Sequence, residues 1–206
     1  MFDNDVKIRC NEPMAGVRQF DAEQTIERAL DVFWRKGLAA TSMQDLAEAT
    51  GVLRGSLYNA YKDKESLFLA AYGRYGQRVL EEAREVLDKA SSPERALRNF
   101  FEYTIRSMTT GSPTRGCLTT KTVTEETGRG ELVHAALKSF LDDFERVVKD
   151  RLSREDAASR LALAPADAAR LVATLTRGIV VMERVYQDPA PLRKTADSLV
   201  RALFPK

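Results

Sequence analysis

From residue 14 to residue 92 the chain contains no proline, and over that stretch its apolar residues recur at three- and four-residue spacing. Such a pattern constrains the fold to helices, because a 3.6-residue period is what gathers those residues onto one face. Ile26, Ala29, Leu30 and Phe33 form one stripe, and Leu67, Ala71, Val79, Ala83 and Val86 form a second. Prolines at 13, 93, 113, 165, 189, 191 and 205 punctuate the chain. Start and stop signals fall between them. Asp21 with Gln24 and Ser42 with Asp45 have capping-box spacing, and Asp63 precedes Lys64-Glu65. Ser92-Pro93 and Asp188-Pro189 place a cap before a proline, and Gly37 follows Arg35-Lys36 as a helix stop. The spacing predicts helices over 21–37, 43–50, 54–60, 64–87, 93–109, 115–124, 129–152, 166–187 and 190–204, an all-α fold. The stretch LTTKTVT at 118–124 is rich in β-branched residues and suits a strand by composition. A single strand has nothing to pair with, so it is read as a short or irregular helix.

Composition removes several function classes. A single histidine, His134, argues against multi-histidine metal sites and Ser-His catalysis, and its spacing from Leu137 and Phe140 marks it as a packed or surface residue. The two cysteines, Cys10 and Cys117, cannot build a disulfide framework, and neither lies in a CxxC pair. A reducing cytoplasm is the expected compartment. The longest apolar run, Leu67 to Tyr72, is six residues, against the roughly 20 that a membrane-spanning helix needs. The opening MFDNDVKIRC has no apolar stretch, so no secretory leader is expected. With 32 basic and 30 acidic residues the net charge is +2, which says nothing about partners. Residues 1–64 carry nine basic and ten acidic residues, so a nucleic-acid function must come from arrangement rather than bulk charge.

That arrangement lies in residues 41–61, TSMQDLAEATGVLRGSLYNAY. A short helix capped by Ser42 ends at Gly51, and the link Thr50-Gly51-Val52-Leu53 has the length and glycine of a helix-turn-helix corner. Leu46, Ala47, Val52 and Leu57 are spaced to pack the two helices together. The second helix then presents Arg54, Gly55, Ser56, Tyr58 and Asn59 to solvent. This set suits a major-groove reader: a guanidinium for guanine or phosphate, small residues that allow close approach, an amide, and a phenol able to reach phosphate or a thymine methyl. Lys62 and Lys64 follow at the flanking phosphates.

Residues 16–75 closely resemble the N-terminal domain of the TetR family of bacterial transcriptional regulators. The resemblance is carried by ALDVFWRKG, by TSMQDLAEATGV and by RGSLYNAYKDKESLF. It implies a homodimer with two helix-turn-helix, three-helix heads on an all-helical ligand-sensing and dimerisation body, and a repressor rather than an enzyme. Its divisions here are an arm at 1–17, a DNA-binding domain at 18–64 and the body at 65–206. Arg54, Gly55, Ser56 and Tyr58 would face double-stranded DNA, and Thr41, Tyr61 and Lys64 would hold the backbone. Ser42 and Asn59 complete the expected DNA-binding set. Many relatives carry a basic arm where this chain has AGVRQFD, with only Lys7, Arg9 and Arg18 among Asp3, Asp5 and Glu12. Affinity is therefore expected to rest on the two heads. Two-fold symmetry predicts a palindromic operator. A helical adaptor, or an enzyme acting without DNA, is the competing reading, although no phosphate loop, metal cluster or triad supports the latter. No cofactor is implied.

The body offers Phe100, Phe101, Tyr103, Met108, Phe140, Phe144 and Met182 as large apolar residues between helices, most of them core. Of these, Phe101, Tyr103, Phe140 and Phe144 are candidates for a ligand pocket, together with Arg177 and Cys117. Arg177 and Arg184 lie on an otherwise apolar helix; either an anionic ligand or an acid such as Glu183 is the expected partner, and pairing with an acid is preferred. Cys117 follows a proline-glycine break, near a helix N-terminus and beside Arg115 and Lys121, all of which favour a thiolate. Its GCLTTK string resembles the segment that carries the sensing cysteine in the NemR-like, electrophile-sensing branch of the same family. Modification by quinones, aldehydes or hypochlorous acid is the implied role; a buried, inert cysteine is the alternative. Where that branch carries a lysine on a later helix this sequence has Arg184, which cannot form the same covalent link. Cys10 is read as incidental. Val172, Leu175, Ile179, Met182 and Tyr186 make one apolar stripe, and Leu192, Ala196, Leu199, Val200 and Leu203 make another. Val172, Leu175, Ile179, Leu192 and Leu199 are the expected dimer contacts.

Overall fold

In a computed structural model the chain folds as helices joined by short turns. The structure describes residues 20–111, 114, 116–125 and 130–205. The arm at 1–17, with Cys10, Lys7 and Arg9, lies outside the described residues, as do Arg18 and Arg115. The elements are α1 (Ala22–Lys36), α2 (Met43–Thr50), α3 (Arg54–Tyr61), α4 (Lys64–Asp88), α5 (Pro93–Thr109), α6 (Leu118–Thr124), α7 (Glu131–Leu152), α8 (Glu155–Ala158), α9 (Pro165–Tyr186) and α10 (Pro189–Leu203).

The helix starts are where side-chain chemistry puts them. Asp21, Ser42, Asp63, Ser92 and Asp188 each accept a backbone N–H of the helix that follows. At α2 the capping box is reciprocal: Ser42 Oγ accepts from Asp45 N, and the Asp45 carboxylate accepts from Ser42 N. Lys36 reaches the same carboxylate at 2.6 Å. These bonds, the lysine's first and then those from Ser42, hold the Asp45 carboxyl at about 2, below its ordinary 3.8. A depressed carboxyl stabilises the fold above its unfolded value and loses that contribution as pH falls toward the folded one. Asp45→Asn is therefore expected to lower stability at pH 7 and to lose that deficit progressively as pH falls from about 5 through the folded value near 2, with about half of it gone by pH 3. Urea melts of both proteins across that range check this; a deficit unchanged at pH 3 would assign it to packing instead.

Two elements differ from the sequence reading by more than two residues. Helix α6 begins at Leu118 rather than 115, with Cys117 as its N-cap residue. Its β-branched run is helical all the same, and its threonine hydroxyls turn back on the chain: Thr122 Oγ1 donates to Leu118 O at 2.9 Å and Thr124 Oγ1 to Thr120 O at 3.1 Å. The single-turn α8 was not foreseen. It is fastened by Arg151 of α7, buried, whose guanidinium donates to both oxygens of Asp156 at 3.1 and 2.9 Å.

Helix α4 is the spine. It packs on α1 in the head and on α5 and α7 in the body. The division expected at residue 64/65 falls at its first turn, so head and body share one core. An aromatic ladder marks that continuity, running Phe33, Phe68, Tyr72, Tyr75, Phe140, Phe144, Phe100 with successive centroids 5.2 to 5.9 Å apart. Phe140 reaches α4 at Gly76, where a Cβ would lie 3.1 Å from its ring.

Candidate nucleic-acid interface and the cavity behind it

The head is α1 to α3. Leu46 and Leu57 are fully buried between the helices, and Gly51 closes α2 at φ +72, a left-handed conformation that a glycine adopts without strain. Arg28 of α1 donates to Thr50 O at 3.0 Å and ties the corner down. On α3 the positions 54, 55, 58 and 59 are two i, i+4 pairs, and Arg54, Gly55, Tyr58 and Asn59 are all exposed on one face. The Arg54 guanidinium stacks on the Tyr58 ring at 5.5 Å. A Cβ added at Gly55 would meet nothing within 4 Å, so the backbone there is open to close approach. Ser56 is half-buried beside them.

The flanking residues are placed differently from the expectation. Thr41 is buried and its hydroxyl donates to Gly37 O at 2.5 Å. Lys64 is half-buried and its ammonium donates to Leu38 O and Ala39 O at 2.8 and 3.3 Å. Ser42 is exposed, yet its hydroxyl is engaged in the α2 cap. Tyr61 is half-buried, 6.5 Å from Phe20, and burial raises its hydroxyl above the ordinary value. Thr41 and Lys64 hold the head together, because the carbonyls at the α1–α2 turn need donors and these two side chains supply them.

Behind the head lies a cavity of about 250 Å³. Tyr75, Tyr103, Met108, Phe140 and Phe144 give it an apolar wall, Arg78, Glu82, Cys117 and Arg177 its polar groups, and Trp34 of α1 brings the head itself into the lining. Phe101, expected in the same pocket, instead faces a separate groove between α5 and α10 with Arg193. Cys117 is buried with its Sγ 3.3 Å from Arg177 Nη1 and 3.6 Å from the Tyr75 hydroxyl. Burial pushes the thiol up, but Arg177 and hydrogen bonds from Thr120 and Tyr75 outweigh it and hold the thiol below its ordinary value. Arg177 also rests on the Phe144 ring at 5.1 Å. Among the described residues no carboxylate pairs with it, which corrects the expected acid partner. Arg184 lies against Gly116, where a Cβ would collide with its guanidinium.

Short helix α6 joins this cavity to the head. At its N-terminus sits Cys117; three residues from its C-terminus Lys121 donates to Trp34 O and Arg35 O at 3.0 and 2.5 Å. Just beyond it Glu125 accepts from Leu38 N and Ala39 N at 2.9 and 2.8 Å. The cation meets the carbonyls that end α1 and the anion meets the N–H groups that follow, so both charges suit the local backbone dipoles. Gly37, at φ +85 between the two, admits no side chain because a Cβ would overlap the Glu125 carboxylate. Neither member of this clip carries a sequence signal: no periodicity or motif links residues 121 and 125 to 34–39.

The expected dimer residues divide between two faces. Val172, Ile179 and Leu192 are buried inside the protomer, and Leu175 and Leu199 are half-buried. The exposed apolar face of α9 is Leu171, Val181, Met182, Val185 and Tyr186. The helix is apolar around much of its circumference, so the sequence reading merged an inner stripe with an outer one. No helix among the described residues is long and apolar enough to cross a membrane, and no group of His, Cys, Asp and Glu there could hold a metal ion.

Comparison with known proteins bears on both halves. Residues 26–71 match the family described as bacterial regulatory proteins, tetR family, and residues 93–199 match the tetracyclin repressor-like C-terminal domain. The repressor ComR of Escherichia coli (strain K12) is 33% identical over 99 residues, 48% of this chain and 47% of that protein. The chain thus spans about half the length of the first curated relatives it matches. A cysteine-substituted form of the regulator CifR, solved on a 26-base-pair double-strand operator, is 28% identical with a TM-score of 0.80, covering 91% of this chain and 99% of that one. Reduced NemR of E. coli shares the fold at a TM-score of 0.80 and 17% identity, over 88% and 95% of the two chains.

Proposed function

Because the chain belongs to the tetR family of bacterial regulatory proteins, a family of transcriptional regulators rather than enzymes, we propose that it is a homodimeric repressor that leaves a palindromic operator when its cavity is filled or Cys117 is modified. The observation that carries DNA binding is the outward face of α3, where Arg54, Gly55, Tyr58 and Asn59 stand clear of the core. The structural similarity to operator-bound CifR supports the same reading. The exposed face of α9 is the dimer surface, two copies crossing about a two-fold axis.

Release runs through α6. The Cys117 thiolate, held by Arg177, adds to an electrophilic carbon such as the β-carbon of an enone; the S–C bond forms and the adjacent carbon takes a proton from water. The adduct removes the thiolate charge that Arg177 faces and displaces the thiol's contacts with Tyr75 and Arg177, so the N-terminus of α6 shifts. Lys121 and Glu125 carry the shift to the end of α1. A coupling of about 1–3 kcal/mol, or about 5- to 150-fold in affinity, is typical of such linkage.

The test is operator affinity by fluorescence anisotropy before and after treatment with a small enone, all proteins carrying Cys10→Ser. The unsubstituted Cys117 protein is expected to lose affinity about 5- to 150-fold, and Cys117→Ser to lose none. Glu125→Gln should be alkylated to the same extent by mass spectrometry yet lose less than threefold. Full release in Cys117→Ser would remove the thiol from the mechanism, and full release in Glu125→Gln would remove the clip.

A further inference from the structure

We infer that Leu53 reads a thymine in each half-site of the operator, its side chain packing on the 5-methyl group in the major groove. The inference deepens the DNA-binding reading above and rests on it. Leu53 is 76% exposed, more than any other large hydrophobic side chain among the described residues. It occupies the N-cap position of α3, where Ser, Thr, Asp or Asn satisfies an otherwise orphaned N–H, and it makes no capping bond. Five other helices of this chain do use Asp or Ser there. Leucine at this position thus serves neither the core nor the cap. Its carbonyl accepts from Leu57 N at 3.1 Å, so the backbone is committed to the helix and the side chain alone points outward.

What covers it follows from its neighbours. Leu53 begins the same helix end as Arg54 and Gly55, and the N-terminal residues of a recognition helix are the ones that meet base edges. Gly55 lets the duplex come close, and Arg54, braced on Tyr58, supplies the polar contact. The apolar group on a major-groove edge is the thymine methyl. An aliphatic side chain at the leading edge of α3 has that methyl as its complementary surface, and discriminates against cytosine, which lacks it.

The experiment uses the full chain. An operator is first selected from random duplexes. Each thymine of the half-site is then replaced in turn, symmetrically, by deoxyuridine, which removes the methyl and leaves the hydrogen-bonding edge intact. One such replacement is expected to weaken binding by roughly fourfold per half-site, the effect of burying one methyl. Leu53→Ala should bind the thymine operator more weakly and show less than twofold response to that replacement, while keeping its response to base changes read by Arg54. Leu53→Val, which shortens the side chain without removing it, should retain part of the methyl dependence. If Leu53→Ala and the unsubstituted protein respond alike to every thymine-to-uracil change, or if Leu53→Ala weakens all sequences equally, the inference is overturned. If no motif is enriched at all, the DNA-binding reading falls with it.

Discussion

Arg54→Ala is expected to weaken operator binding by on the order of 30-fold at the least, and to erase sequence preference at the base pair it meets. A guanidinium that bonds a guanine edge in two places contributes about 1–3 kcal/mol of discrimination, and two-fold symmetry counts the contact twice. Arg54 is exposed at the first turn of α3, and among the described residues no carboxylate pairs with it. Its charge is therefore available to DNA, and its stacking on Tyr58 narrows the orientations it must give up on binding. Because the side chain is outside the core, the variant should melt at the same temperature as the parent protein. The measurement is affinity against salt for both proteins on the selected operator and on unrelated DNA. Loss confined to the operator identifies a base contact; an equal loss on both, with a shallower salt slope, identifies a phosphate contact. Binding within threefold of the parent on both would remove α3 as the reading helix.

A second large effect is expected in the cavity behind the head. Arg177→Met keeps a side chain that can cover Phe144 but removes the charge beside Cys117. The thiol then keeps its burial, which disfavours the thiolate, and loses the guanidinium that offsets it. An opposite charge at this range shifts a pKa by about one to three units. The inflection in alkylation rate against pH should move up by that amount, and the rate at pH 7 should fall at least about tenfold. Iodoacetamide labelling of the Cys10→Ser protein with and without Arg177→Met gives the profile. An unmoved inflection would show that Thr120 and Tyr75 alone hold the thiol down.

Much of this was legible in the sequence, and the parts that were not share a cause. Asp21, Ser42, Asp63, Ser92 and Asp188 act on N–H groups two or three residues ahead, so the helix starts could be read locally. The outward face of α3 was readable for the same reason: it is the complement of a buried Leu57 at helical spacing. Thr41 and Lys64 were assigned to the DNA backbone by the family resemblance, but their donors bond carbonyls of the turn after α1, four and 26 residues earlier in the chain. Phe101 and Tyr103 are two residues apart on α5 and so face different neighbours, one a groove beside α10 and the other the cavity. Arg177 was given an acid because Glu183 lies on the same otherwise apolar helix, whereas its neighbour across the fold is a thiol 60 residues away. The Lys121–Glu125 clip spans 86 and 87 residues and is invisible without the fold. Burial, likewise, separates the two apolar stripes of α9 that composition cannot distinguish.

Trp34 belongs to the head by sequence and to the cavity by position, with its indole edge-on to Tyr75 at 5.1 Å. The cavity is therefore not a closed room set apart from the head; one of its walls belongs to α1. Whatever moves α1 changes the volume available to a guest, and the thermodynamic exchange runs equally in both directions. On the proposed function, operator DNA, by fixing the heads, would set how well the chamber fits a guest. A repressor seated on its operator and one adrift in solution would then be two receptors of unequal affinity, and the pool of unbound protein would take up the first molecules of inducer before the operator is vacated.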